Sequence, residues 1–167
     1  MKPIHIKEFV PQERAEEKIK LLPVFLEIWN APENLPCLSP ALLPFESEMV
    51  SMWLANHKDQ GGRYFCALND QGEILGVLVA KVSPLEGFEI YGVGVFPHRK
   101  GEGIGRRLVE YAVQVARSLH FKALRALVFA DNTVMLCLLL TSGFVPTGMH
   151  YHVRADGADA VVLTTYV

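Results

Sequence analysis

The sequence holds little that would tie it to a membrane, a metal or nucleic acid. No apolar run approaches the ~20 residues that a membrane-spanning helix requires. The first residues, Met1-Lys-Pro-Ile-His-Ile6, lack an apolar signal core. Basic residues number 16 and acidic ones 18, for a net charge of −2, which argues against a broadly basic nucleic-acid surface. Cysteine is scarce. Cys37, Cys66 and Cys137 are odd in number and lack metal-ligand spacing, so they read as reduced thiols of a cytoplasmic protein and give neither a disulfide framework nor a zinc site. No metal is expected, and repeats and low-complexity tracts are absent. What is there is a chain of 167 residues, 50% of them apolar, long enough to bury a core and read as a single domain over 1–167.

Ile4 and Ile6 alternate with polar residues and predict a first strand ending near Phe9. Apolar residues recur at helical spacing from Gln12 to Asn30 (Ile19, Leu22, Phe25, Leu26, Trp29), with Pro23 expected to kink or restart the helix. Four prolines between Ala31 and Pro44 predict an ordered loop with short turns. A second helix is expected over Phe45–Lys58, with Phe45, Met49, Met52 and Trp53 on one side and Gly61-Gly62 as its stop. Strands over Arg63–Leu68 and Glu73–Val82 flank the turn signal Asn69-Asp-Gln-Gly72. Further strands are expected over Phe88–Phe96, Ala123–Ala130, Phe144–Val153 and Ala160–Tyr166. A helix is expected over Gly103–His120, with Ile104, Leu108, Tyr111, Ala112, Val115 and Leu119 inward, and Arg106 and Glu110 four apart on its outer side. A shorter helix, Thr133–Thr141, is capped by Asp131 or Asn132 and is apolar nearly all round, so protein or ligand must cover most of it. This order makes an α/β or α+β domain with a mixed sheet.

The chemistry concentrates in Tyr91-Gly-Val-Gly-Val-Phe-Pro-His-Arg-Lys-Gly-Glu-Gly-Ile-Gly-Arg-Arg107. Val93 and Val95 favour a strand, Gly92 and Gly94 mark a bulge or a close approach, and Pro97 ends the strand. Beyond it, Gly101, Gly103 and Gly105 alternate through a basic turn that opens a helix. Backbone N–H groups freed of Cβ atoms converge there on an anion, at the positive end of the helix dipole. Lys100 and Arg106 are the preferred phosphate contacts among the cations, with Arg99 and Arg107 read as facing solvent.

Two motifs in this order resemble the GCN5-related N-acetyltransferase (GNAT) family. The first, Lys100-Gly-Glu-Gly103-Ile-Gly105, is similar to the family's Gln/Arg-x-x-Gly-x-Gly/Ala turn, with lysine in the first position. The second, Asn132-x-x-Met135-Leu136 running to Gly143-Phe144, looks like its Asn-x-x-Ala/Met helix ending in Gly-Phe. The resemblance implies a largely antiparallel twisted sheet of about seven strands with about four helices, splayed at a central parallel pair. It implies acetyl-CoA as acyl donor and an amine as acceptor. The pyrophosphate would lie on the amides of Lys100, Gly101, Glu102, Gly103, Ile104, Gly105 and Arg106. The pantetheine would pair along Val93, Gly94 and Val95, with Asn132 on the far side. Dimers are common in the family, so a homodimer is an open expectation.

The implied reaction is direct attack of a neutral amine on the thioester, with the Val93 amide donating to the oxyanion. For Glu89, eight residues before Pro97, two readings stand side by side: a catalytic base among apolar neighbours, and a solvated strand-end carboxylate. Many relatives carry a tyrosine acid seven residues after the asparagine, where this chain has Leu139. Cys137 and Tyr151 are substitutes, though core cysteine and packed aromatic are the preferred readings. His150 and His152 are two apart on an expected strand, but without a third ligand they read as surface or pocket histidines. His98 reads as solvated. Trp29, Trp53, Phe25 and Phe45 are mainly core, with one or two lining an acceptor pocket. Two other classes remain open. One is a non-catalytic acyl-CoA-binding regulatory module. The other is a nucleotide P-loop, disfavoured because no Gly-Lys-Ser/Thr follows.

Overall fold

The computed structural model describes residues 3–85 and 87–167; Met1 and Lys2 of the N-terminal segment read above lie outside the described residues. Seven strands form one sheet: β1 (His5–Phe9), β2 (Gly62–Leu68), β3 (Ile74–Ser83), β4 (Gly87–Val95), β5 (Ala123–Phe129), β6 (Val145–His150) and β7 (Ala160–Tyr166). Their spatial order is β1-β2-β3-β4-β5-β7-β6. Every neighbouring pair is antiparallel except β4 and β5. Among the described residues five α-helices flank the sheet, where about four are expected: α1 (Ala15–Asn30), α2 (Leu35–Leu38), α3 (Ser47–Asn56), α4 (Ile104–Ser118) and α5 (Thr133–Thr141). The additional one is α2, a single turn with Pro36 near its start, inside the proline-rich loop.

The two sheet faces carry separate cores. Phe65, Leu78, Phe88, Ile90, Leu124 and Ala126 pack against α4 and α5. Tyr64, Cys66, Val77 and Val79 pack against α1 and α3. This split follows the two-residue period of the strands, because β3 sends Leu78 and Ala80 to one core and Val77 and Val79 to the other.

Three helical stripes differ from expectation. α1 runs unbroken through Pro23 and buries Leu21, Phe25, Ile28 and Trp29, while Ile19 is exposed. The backbone bond that Pro23 cannot donate would have gone to the carbonyl of Ile19, on the solvent side. α3 buries Val50 and Leu54 and turns Met49, Met52 and Trp53 outward around an open groove of about 330 Å³. α4 buries Val109 and Ala116, and Leu119 is exposed. The strand expected to reach Val153 stops at His150. His152 adopts φ +53° in the following turn, where its Nδ1 lies 3.1 Å from the Gly157 carbonyl. The two histidines therefore do not share a strand.

Two local devices seat α1. Gly94 lies beneath it, where a Cβ would come within 2.5 Å of Ile28 Cγ2 and 2.7 Å of Trp29 Cζ3. At the helix start, the buried Glu17 carboxylate accepts from Lys7 (2.9 Å), from the Val10 N–H (2.6 Å) and from Arg14 (3.2 Å). Burial opposes its ionisation, but these three donors outweigh burial and hold the carboxyl below its ordinary value of 4.5.

Gly94→Ala forces α1 off β4, so urea unfolding should show a loss of about 1–3 kcal/mol, as overpacking does. Glu17→Gln should cost about 2 kcal/mol at pH 7. Because the folded-state value of Glu17 is depressed, its stabilisation is full above the unfolded value and disappears as pH falls through the folded one. Denaturation midpoints of the wild type and Glu17→Gln should thus converge on acidification to below 4.5.

Candidate active site

The parallel pair β4/β5 is registered for three residues only, Phe88–Leu124, Glu89–Arg125 and Ile90–Ala126. At the next position β4 bulges. Ile90 opposes Ala80 and Gly92 opposes Val79, which leaves Tyr91 as the extra residue. Beyond the bulge the strands part, and a narrow slot opens between Tyr91, Gly92 and Val93 on one side and Ala126, Leu127 and Val128 on the other. The close approach expected at the strand glycines is present, and helices make it. Gly92 and Gly94 face α1 and α2, where Trp29 and Leu38 approach; Gly92 also lines the slot, and Gly94 lines neither slot nor cavity.

The slot continues into a cavity of about 560 Å³ between the end of β4, the turn before α4, and α5. Val93, Val95, Lys100, Gly101, Gly103, Ile104, Gly105, Arg106 and Asn132 all line it. Glu102 does not, and its carboxylate pairs instead with Arg99 at 3.0 Å. Gly101 (φ +83°) and Gly103 (φ +76°) take left-handed conformations that wind the turn. Gly103 is the α4 N-cap and supplies no side-chain cap, so the first amides of α4 carry no capping acceptor. Gly105 brings α4 against α5, since a Cβ there would meet Leu138 Cδ1 at 3.3 Å. Arg106 reaches across to Thr141 (Nη2 to Oγ1, 3.0 Å), on the opposite wall, and not along its own helix to Glu110.

Arg99 and Asn34 are lining residues that the sequence reading did not select. Arg99 faces the cavity, with its Nε buried and without a hydrogen-bond partner among the described residues. Asn34, 6% exposed, donates from Nδ2 to the carbonyls of Ile28 (2.8 Å) and Val95 (3.0 Å). The Val95 carbonyl thus finds in Asn34 a donor that β5 no longer provides beyond the splay. Position in the folded chain, not residue type, marks both. Arg107 points away, reaching the Ile4 carbonyl at 3.4 Å.

The far wall is α5. Asn132 Oδ1 accepts from the Met135 N–H at 3.1 Å and caps the helix. Of its apolar residues only Leu139 is fully buried; Val134 is 78% exposed. Val134, Cys137, Leu138 and Thr141 form one helical stripe along the cavity. Leu139 points into the core, away from that wall.

Glu89 is half-buried on β4, between Lys81 of β3 and Arg125 of β5 in the sheet register. His57 Nδ1 lies 2.9 Å from the Tyr64 hydroxyl, and the His57 ring lies 6.4 Å from that of Tyr91. Burial, with the Lys81 charge, holds the His57 imidazole below its ordinary value, so it is neutral at pH 7. Burial likewise raises the Cys37 thiol, against the pull of Lys100, so this thiol of the slot is protonated at neutral pH. Trp53 packs edge-on against Phe45 at 5.9 Å beside the α3 groove, and Trp29 and Phe25 stack in the core at 4.0 Å. Among the described residues no group of three or more His, Cys, Asp or Glu is placed to hold a metal ion, and no helix is long and apolar enough to cross a membrane.

The profile of the Acetyltransferase (GNAT) family matches residues 24–144, which include the bulged strand, the glycine turn and α5. The chain belongs to the GNAT family. Among curated proteins it is similar to mycothiol acetyltransferases of Jonesia denitrificans (33% identical over 84 residues, 50% of this chain) and Paenarthrobacter aurescens (33% over 87 residues, 49% of this chain). It spans only 27% of the length of either relative. Among solved structures it resembles the ribosomal-protein-alanine N-acetyltransferase from Brucella melitensis (TM-score 0.75, 21% identity, covering 98% of this chain and 99% of that one). It also resembles the ribosomal-protein-S18-alanine N-acetyltransferase from Escherichia coli (TM-score 0.74, 17% identity, covering 99% and 94%). At these identities the structures show the fold alone. The GNAT fold and acetyl transfer as the general chemistry are thereby established for the family to which this chain belongs.

An alanine at position 103 must adopt φ +76°, at a cost of about 1 kcal/mol, and it tilts the amides that face the cavity. On the CoA-binding function proposed below, Gly103→Ala should weaken CoA about tenfold or more by calorimetry. Gly72→Ala, at an equally left-handed position in the β2–β3 turn, should leave CoA affinity unchanged.

Proposed function

We propose that the chain is one domain catalysing transfer of an acetyl group from acetyl-CoA to a primary amine, on a small molecule or a protein. The observation that carries this reading is the continuity between the uncapped α4 amides and the parted β4/β5 edge, which together fit a phosphate-bearing thioester along its length. The unpartnered Arg99 Nε and the cations of Lys100 and Arg106 supply charge at the phosphate end. The exposed stripe of α5 supplies apolar cover for the pantetheine, which answers the excess apolarity of that helix. Both sets of named relatives are acetyltransferases, one named for mycothiol and the other for ribosomal-protein alanine, so the acceptor class is the part that assay must settle. Three free thiols, Cys37, Cys66 and Cys137, favour a reducing, cytoplasmic location.

In the reaction, the neutral amine attacks the thioester carbonyl carbon at the splay. A new C–N bond forms as the C–S bond breaks. The strand period directs the Val93 backbone to the same edge as that of Val95, so its N–H is the donor for the oxyanion. Glu89, on the face that carries Tyr91, takes the amine proton directly or through water. The sulfur leaves as thiolate and takes its proton from water, because Leu139 has none to give and is buried in the core. A thiol is acidic enough to leave without a dedicated acid.

A panel of amines, including peptides with free N-termini, assayed by release of free CoA should show turnover. Glu89→Gln should lower kcat about 10²-fold or more while CoA affinity stays within about twofold. Tight CoA binding with no turnover across the panel would indicate a CoA-binding regulatory module instead.

A further inference from the structure

The turn between β6 and β7 carries an arginine that the reaction does not use. Arg154 is 7% exposed. Its guanidinium donates to both carboxylate oxygens of Asp131, from Nη1 at 3.0 Å and from Nη2. It donates to the Pro36 carbonyl from Nη1 at 2.9 Å. Within its own turn it donates to Asp156 from Nε and Nη2, each at 2.9 Å. The guanidinium carbon also lies 5.0 Å from the centre of the Phe129 ring at the end of β5. A second link runs alongside it, from the Ala155 N–H to the Pro40 carbonyl at 2.8 Å.

These partners stand on opposite banks of the slot. Asp131 immediately precedes Asn132, the cap of α5, and Asn132 lines the slot together with Met135. Pro36 sits in α2, whose next residues, Cys37 and Leu38, line the slot from the other bank. α2 has only one turn, too short to hold its own position. Leu38 in turn covers Gly92, beside the bulge. One planar fork therefore spans the distance between the α5 cap and α2, and neither bank has another buried cation in reach among the described residues.

The geometry points to Arg154 as a positioning residue for acetyl transfer, a clasp that fixes the width of the β4/β5 slot where it meets the cavity by joining Asp131 to Pro36. This rests on the acetyltransferase reading for its kinetic consequence, but not for its structural one. Lysine has no planar fork and cannot bond Asp131 at two points while reaching Pro36, so Arg154→Lys does not restore the clasp. The phosphate end is held by the α4 turn, which the clasp does not touch. Its loss is felt in turnover more than in CoA affinity.

The test compares Arg154→Met and Arg154→Lys with Glu17→Gln, a variant that loses stability at a remote site, all in a Cys137→Ser background. The first readout is the rate at which Ellman's reagent labels Cys37 in the native protein, which needs no cofactor. Release of α2 should raise that rate about tenfold or more in both Arg154 variants and not in Glu17→Gln. The second readout splits kcat from KM with acetyl-CoA. The Arg154 variants should lose about tenfold in kcat, with CoA affinity within about threefold of the parent. An unchanged labelling rate, or a rise that Glu17→Gln matches, overturns the clasp. Faster labelling with kcat per folded molecule unchanged overturns its role in positioning. If the parent protein binds no CoA, the acetyltransferase reading fails, and the labelling rates still decide the clasp. Should Arg154→Met not fold, Asp131→Asn is read in the same way.

Discussion

The structure depends on the parting of two parallel strands. Strands β4 and β5 share three registered pairs and then diverge at the Tyr91 bulge. In a sheet interior, unpaired backbone groups are costly, so a splay persists only where other partners replace the lost ladder. Asn34 is one such partner, since its amide takes the Val95 carbonyl. The remaining edge of β4 forms the slot. Much of the surrounding packing holds that opening in place: Trp29 and Leu38 press on the glycine side of β4, and Arg154 joins the two banks.

The same opening fixes what the site can do. At one end the α4 amides, Lys100, Arg99 and Arg106 surround a space suited to a polyanion. At the other, Glu89 and Tyr91 lie on the opposite face of the sheet, with a neutral His57 near Tyr91. Between them α5 leaves an apolar stripe open to the cavity. The two faces of the sheet thus serve different reactants, and the bulge is where they meet.

The elements were largely legible in the sequence, and so was the glycine turn, because both rest on local chemistry: strand alternation, prolines and glycines at fixed offsets, and an asparagine cap. The full apolarity of α5 was legible as a demand for cover, though not as an open wall. What was hidden is tertiary. Ile19, Met52 and Trp53 fit helical stripes by spacing, yet packing selected Leu21, Val50 and Leu54 for the interior. Gly94 could be read as a close approach but not assigned its neighbour, which is α1 and not the slot. Arg154 and Asn34 carry no motif at all. Apart from the local Asp156 and Ile28, their partners are distant, with Asp131 and Pro36 lying 23 and 118 residues from Arg154 and Val95 61 from Asn34, so only the folded chain brings them to the site.

The central claim is that the parted edge of β4 and the uncapped start of α4 form one continuous cofactor site. Residue-resolved amide hydrogen exchange with and without CoA tests it most directly. The account predicts new protection at Val93 and Val95 on β4 together with the amides from Gly103 to Arg106. Protection confined to the α4 turn, with Val93 and Val95 exchanging as fast as in the free protein, would contradict it.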